Sequence, residues 1–242
     1  MKIIRIIQQI LLIFIFNNLN AKAMDSTKGT ELVLKYKVRL PENKTQNTPV
    51  IIMLHGVGSN ENDMFGFANQ FPKEYLVISA RAPFELSEGS YAWFRVEFIG
   101  DKRIINEIEA EKSRIILKQF INQVVERYNA DASNITLLGF SQGAIMAYSI
   151  ALTSPEKVKN IGVLGGRLLE EVKPFIKPNS NLKNLNIFLG HGLNDKVMPI
   201  NFANKAFEYC TKLECNIQFI KYPIEHTISQ SEIDDFKNWL KN

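Results

Sequence analysis

The chain has 242 residues, 45% of them apolar and 22% charged, enough for one sizeable domain with a buried core and unlike a disordered or fibrous protein. Its 29 basic residues stand against 25 acidic ones, with no block of like charge to suggest a polyanion. Nucleic-acid binding is therefore not indicated.

In chain order, residues 1–23 differ in kind from the rest. "MKIIR" is basic, "IIQQILLIFIFNNLN" is an apolar run, and "AKA" offers small residues at a cleavage point after Ala23. This pattern predicts a secretory signal peptide followed by a single domain over residues 24–242, exported to the periplasm or secreted. The uninterrupted apolar stretch Ile10–Phe16 is too short to span a bilayer, so no stable membrane insertion of the mature chain is expected. Cleavage removes Lys2, Arg5 and Lys22 but no acid, and leaves the mature chain near neutral.

From Glu31 onward, short β-rich segments alternate with helical patterns. "ELVLKYKVRLP" alternates as a half-exposed edge hairpin would. "VIIML" (50–54), "YLVISA" (75–80), "NITLLGF" (134–140), "KNIGVLG" (159–165), "LNIFLG" (185–190) and "NIQFIKY" (216–222) are apolar runs of the kind found in strands covered on both faces. Helices are predicted over 103–128, with Ile104, Ile108, Ile115, Ile116, Phe120, Val124 and Tyr128 as the apolar stripe, and over 142–152, 200–213 and 229–241. The alternation predicts an α/β fold: a mostly parallel central sheet with helices on both faces. Cys210 and Cys215, spaced C-x4-C, have no histidine placed to complete a metal site. A local disulfide and two free thiols both fit that spacing.

The chemistry begins at "GFSQG" (139–143). A strand that turns into a helix at one residue needs neighbours without side chains, which Gly139 and Gly143 supply. Ser141 is then presented at the tip of the sheet, with the Gln142 N–H facing the same space at a helix N-terminus. A serine nucleophile needs a base. Of the three histidines, His55 and His191 sit at strand ends inside glycine-rich turns, whereas His226 follows the strand 216–222 in a loop on the same edge as Ser141. His226 is the candidate base, Asp195 in "GHGLNDKVMP" the candidate acid, and the order Ser141, Asp195, His226 is that of the α/β-hydrolases. "HGVGSNEND" supplies a second anion donor, the Val57 N–H, opposite that of Gln142, with His55 bracing the loop.

Together "LHGVGSNEND", "RAPFELSEGSYAWF", "GFSQG", "GHGLNDKVMP" and "YPIEHTIS" resemble the phospholipase/carboxylesterase family of α/β-hydrolases, which includes bacterial carboxylesterases and acyl-protein thioesterases. The likeness runs from about residue 30 to the C-terminus. It implies Ser141 as nucleophile, Asp195 and His226 as its partners, and the Val57 and Gln142 amides as oxyanion hole. Ala144 stands where many members have a further glycine, and Met198 where valine is frequent. Trp93 and Phe94 are candidate walls of an acyl pocket. The expected activity is metal-free and cofactor-free cleavage of a small-molecule carboxylic ester, with lysophospholipids, acyl thioesters and a catalytically inactive binding module as alternatives.

Overall fold

A computed structural model describes residues 31–45, 47–100, 102–177 and 180–241. The chain divides into a unit Met1–Leu32 and a unit Val33–Asn242, and the second carries every element discussed below. The predicted signal peptide, residues 1–23, lies outside the described residues. Among those described, no helix is long and apolar enough to cross a membrane.

Seven strands form one sheet: β1 (Tyr36–Arg39), β2 (Val50–Leu54), β3 (Leu76–Ala80), β8 (Ile135–Phe140), β9 (Asn160–Leu164), β10 (Asn186–Gly192) and β11 (Asn216–Tyr222), in the order β1-β3-β2-β8-β9-β10-β11. Only β1 runs antiparallel to its neighbour. Every residue of β2 and β3 is buried, as continuous apolar runs require when helices cover both faces. Helices α1 (Glu61–Phe65) and α5 (Gln230–Trp239) cover one face, where Met64, Ile233 and Phe236 pack with Ile51, Met53, Val77, Leu138, Leu164 and Phe188. On the other face lies α3 (Gln142–Thr153), pressed so close that a Cβ on Gly143 would stand 2.0 Å from the Leu54 carbonyl oxygen. Helix α2 (Glu107–Tyr128) packs on α3, and α4 (Asn201–Lys212) packs against β10 and β11.

Three local expectations are corrected. The segment 31–41 holds one edge strand, β1, and no hairpin, because β1 finds its partner in β3. The helix predicted from residue 103 begins at Glu107: Asn106 caps it by accepting from the Glu109 N–H, and residues 102–105 form a strand, β7 (Lys102–Ile105), paired with β6 (Val96–Ile99). The stripe of α2 is also rotated. Ala110, Ser113, Leu117, Phe120, Ile121 and Val124 are buried, whereas Ile104, Ile108 and Ile115 are exposed.

A second hairpin, β4 (Phe84–Ser87) with β5 (Ser90–Ala92), precedes β6. Both hairpins are inserted between β3 and α2. They contribute Leu86, Val96 and Ile105 to a cavity over the carboxyl ends of the parallel strands.

Candidate active site

Ser141 sits between β8 and α3 with φ 52° and ψ −114°, the left-handed half of backbone space that L-residues with a side chain avoid. Close packing holds the turn in place. A Cβ on Gly139 would stand 2.3 Å from the Gly143 carbonyl oxygen, so strand and helix approach only because both residues lack side chains. The Ser141 N–H donates to the Leu164 carbonyl (2.9 Å) and the Ile145 N–H donates back to Ser141 (3.1 Å).

The chain after β10 and the chain after β11 are sewn together. Leu193 N–H donates to the Tyr222 carbonyl (2.8 Å) and Asn194 N–H to the Ile224 carbonyl (3.0 Å). A Cβ on Gly192 would stand 2.4 Å from the Ile224 oxygen, so this crossing also depends on a glycine. It brings His226 Nδ1 within 2.7 Å of Asp195 Oδ2 and His226 Nε2 within 2.9 Å of Ser141 Oγ. Because a carboxylate only accepts, Nδ1 carries the proton and Nε2 offers its lone pair to the serine hydroxyl. The other carboxylate oxygen accepts from the Val197 (2.9 Å) and Met198 (2.7 Å) N–H groups. Asp195 is thus buried with both oxygens engaged. His191 lies behind it, with Nε2 2.6 Å from the Met198 carbonyl oxygen and 3.6 Å from Asp195 Oδ2. Burial lowers the His191 pKa, which keeps its ring neutral beside the acid.

Val57 and Gln142 both line the cavity that contains Ser141 and His226, and neither backbone N–H has an acceptor among the described residues. The loop before Val57 is held from behind. His55 Nε2 accepts from the Ala82 N–H (3.0 Å), so its Nδ1–H donates to the Gly56 carbonyl (2.7 Å). Burial lowers the pKa of this imidazole. With both nitrogens occupied, it braces the loop.

Phe94 lines the cavity, but Trp93 does not, which corrects the expectation that both are walls. Trp93 is fully buried and its indole N–H donates to the His55 carbonyl (2.9 Å), so the ring is spent on fixing the loop. Gln142 has a side-chain role that the sequence reading missed. Its Oε1 accepts from the Trp93 N–H (2.8 Å) and its Nε2 donates to the Phe94 carbonyl (2.6 Å), tying the nucleophile turn to the cavity wall. These partners lie 48 and 49 residues away in the chain, and no local pattern announces them.

The cavity measures about 480 Å³, and Leu86, Phe94, Val96, Ile105, Phe140 and Ile145 make much of its wall. Only the aromatic-rich "SYAWFRVEF" could have signalled the contribution of the inserted hairpins. Among the described residues, no group of three or more His, Cys, Asp or Glu side chains could hold a metal ion.

A buried seven-stranded, mostly parallel sheet with a strained serine turn and its partner loops on the carboxyl edge is the α/β-hydrolase fold. The phospholipase/carboxylesterase family model matches residues 37–242, and the chain belongs to that family. It is accordingly a hydrolase of the esterase and thioesterase kind, acting on small-molecule substrates. Acyl-protein thioesterase 1 of Debaryomyces hansenii is 27% identical over 221 residues, covering 84% of this chain and 94% of the relative. The carboxylesterase of Bacillus cereus superposes with a TM-score of 0.75 at 21% identity, over 93% of this chain and 98% of its own. Acyl-protein thioesterase 2 of Zea mays gives 0.70 at 19% identity, over 86% and 97%. These two likenesses bear on the fold.

Proposed function

We propose that the protein is a serine esterase that cleaves carboxylic esters of small or medium acyl chains through an acyl-enzyme intermediate. The observation that carries this reading is the unbroken line of hydrogen bonds from Asp195 through His226 to the hydroxyl of Ser141. In the first step Ser141 Oγ attacks the ester carbonyl while His226 Nε2 takes its proton. Asp195 keeps the imidazole in the required tautomer and steadies the imidazolium. The Val57 and Gln142 N–H groups receive the oxyanion, a stabilisation worth roughly 3 kcal/mol for each donor in sites of this type. His226 returns the proton to the leaving alcohol, then activates the water that releases the acid.

The predominantly apolar wall supports an acyl group as the part of the substrate held in the cavity. An acyl thioester is the second reading, favoured by the likeness to acyl-protein thioesterase 1, since the same steps serve a thiol leaving group. Export is a further part of the proposal, supported by the composition of residues 1–23. N-terminal sequencing of the protein from its source cells should begin after Ala23; retention of Met1 would remove it.

Hydrolysis of p-nitrophenyl esters of increasing acyl length, beside matched acyl thioesters, tests the reading. The expected optimum lies at short to medium chains, with Ser141→Ala slower by roughly 10³-fold or more. Undiminished turnover by Ser141→Ala would refute the mechanism. An optimum at long chains would shift the substrate class to lipids, and faster thioester than ester cleavage would favour the second reading.

A further inference from the structure

Helix α4 ends in a Schellman motif. Glu214, with φ 61°, is the left-handed residue beyond the helix. Its N–H donates to the Thr211 carbonyl (2.9 Å), and the Cys215 N–H donates to the Cys210 carbonyl (3.1 Å). These are the two nested bonds that define the motif, and they place Cys210 and Cys215 at the pair of positions whose side chains pack together. The C-x4-C spacing is therefore the spacing of a local contact. In the reduced state the two thiols act on each other electrostatically, both are buried, and Cys215 begins the lead into β11.

A third group faces the pair. The Tyr148 side chain of α3 is fully buried, its hydroxyl has no hydrogen-bond partner among the described residues, and both cysteines act on it electrostatically. A buried O–H without an acceptor costs free energy.

We propose that Cys210 and Cys215 are a disulfide-forming pair that, on meeting a disulfide donor, staples the end of α4 to the start of β11. The interaction between the two thiols lowers the Cys215 pKa and raises that of Cys210. Cys215, the less buried of the two, is thus the attacking sulfur. Its thiolate attacks one sulfur of a donor RSSR, breaking the S–S bond, expelling RS⁻ and forming the mixed disulfide Cys215–S–S–R. Cys210 then loses its proton to the expelled RS⁻ and attacks the Cys215 sulfur, releasing the second RS⁻, which takes up the proton first lost by Cys215. In total two thiols are oxidised by two electrons, one donor disulfide is reduced to two RSH, and one intramolecular S–S bond is made. The pair lies at the opposite end of β11 from the His226 loop, so closure acts on stability and leaves the chemistry at Ser141 untouched.

The test treats the full chain with oxidised or reduced glutathione, then unfolds and alkylates it. Mass spectrometry should find the oxidised sample lighter by two hydrogens, closed to alkylation, and linked within the peptide that holds Cys210 and Cys215. Its melting temperature should exceed that of the reduced sample by about 4–8 °C. The shift should vanish in Cys215→Ser, and in Cys210→Ser if that fully buried position tolerates the hydroxyl. Two alkylated cysteines after oxidation, a stable glutathione adduct, or a link between two chains would overturn the pairing. A closed bond with no change in melting would overturn the staple.

Discussion

The same parallel strands end very differently at their two edges. At the amino edge, side chains in register across four neighbouring strands satisfy one another. Asn160 Nδ2 donates to Thr136 Oγ1 (3.1 Å), Asn186 Nδ2 to Asn160 Oδ1 (3.0 Å) and Asn216 Nδ2 to Asn186 Oδ1 (2.8 Å). At the carboxyl edge the polar line from Asp195 through His226 stops at Ser141, whose hydroxyl faces a cavity, and the backbone there is strained. Polar groups that saturate each other tie strands together. A line that stops one partner short leaves a group for a substrate to complete, and close packing of glycines holds it there.

The contrast predicts where substitutions separate activity from stability. His226→Ala should cut kcat/KM for a p-nitrophenyl ester by roughly 10³–10⁴-fold with little change in melting; a variant that keeps most of its rate would remove the reactive role from this edge. Gly143→Ala should act on folding instead, because its Cβ would fall 2.0 Å from the Leu54 oxygen. A loss of more than about 4 kcal/mol, or insoluble protein, is expected, and a normally stable, active variant would show that close approach is not what forms the turn.

Glu232 gives the carboxyl side a pH dependence. Its carboxyl caps α5 by accepting from the Ser229 N–H (2.8 Å) and lies against Gly190, and burial raises its pKa from 4.5 to about 7. An acid whose folded pKa is raised contributes stability that is full below its unfolded value and is lost as pH rises through its folded one. Denaturation curves should therefore weaken between pH 4.5 and about 7. Glu232→Gln, which keeps an acceptor for Ser229, should flatten that change and be more stable than wild type at alkaline pH, by roughly 1–3 kcal/mol. Identical pH profiles would contradict the buried acid.

The smallest effect belongs to the amino edge. Asn186→Ala strips a donor from Asn160 and an acceptor from Asn216, and should cost about 1 kcal/mol in urea unfolding with ester hydrolysis unaltered. A fall in rate equal to that of an active-site variant would erase the distinction between the edges.

Most of the sheet was legible because strands buried on both faces must be apolar throughout, as the run at 50–54, which matches β2 in full, illustrates. The run at 216–222 matches β11 in its bounds, but β11 is an edge strand with only Tyr222 buried, which corrects the expectation that both its faces are covered. The positions of Ser141, Asp195 and His226 were legible for a related reason: each follows a readable strand, and parallel strands send their ends to one edge. The inserted hairpins were not, since "FELSEGSYAWFRVEF" mixes acids with aromatics and takes its strand form from pairing rather than periodicity. The stripe of α2 misled because exposed isoleucines such as Ile108, 82% accessible, cost a folded surface little. Trp93 was misassigned because an aromatic side chain in a loop can wall a cavity or fix a backbone, and only the three-dimensional partner decides.

The central claim is that the fold turns the hydroxyl of residue 141 alone into a nucleophile. Fluorophosphonate labelling of wild type and Ser141→Ala, read by peptide mass spectrometry, tests it most directly. The account predicts one modified residue, Ser141, in the wild type and no label in the variant; equal labelling of the two proteins would contradict it.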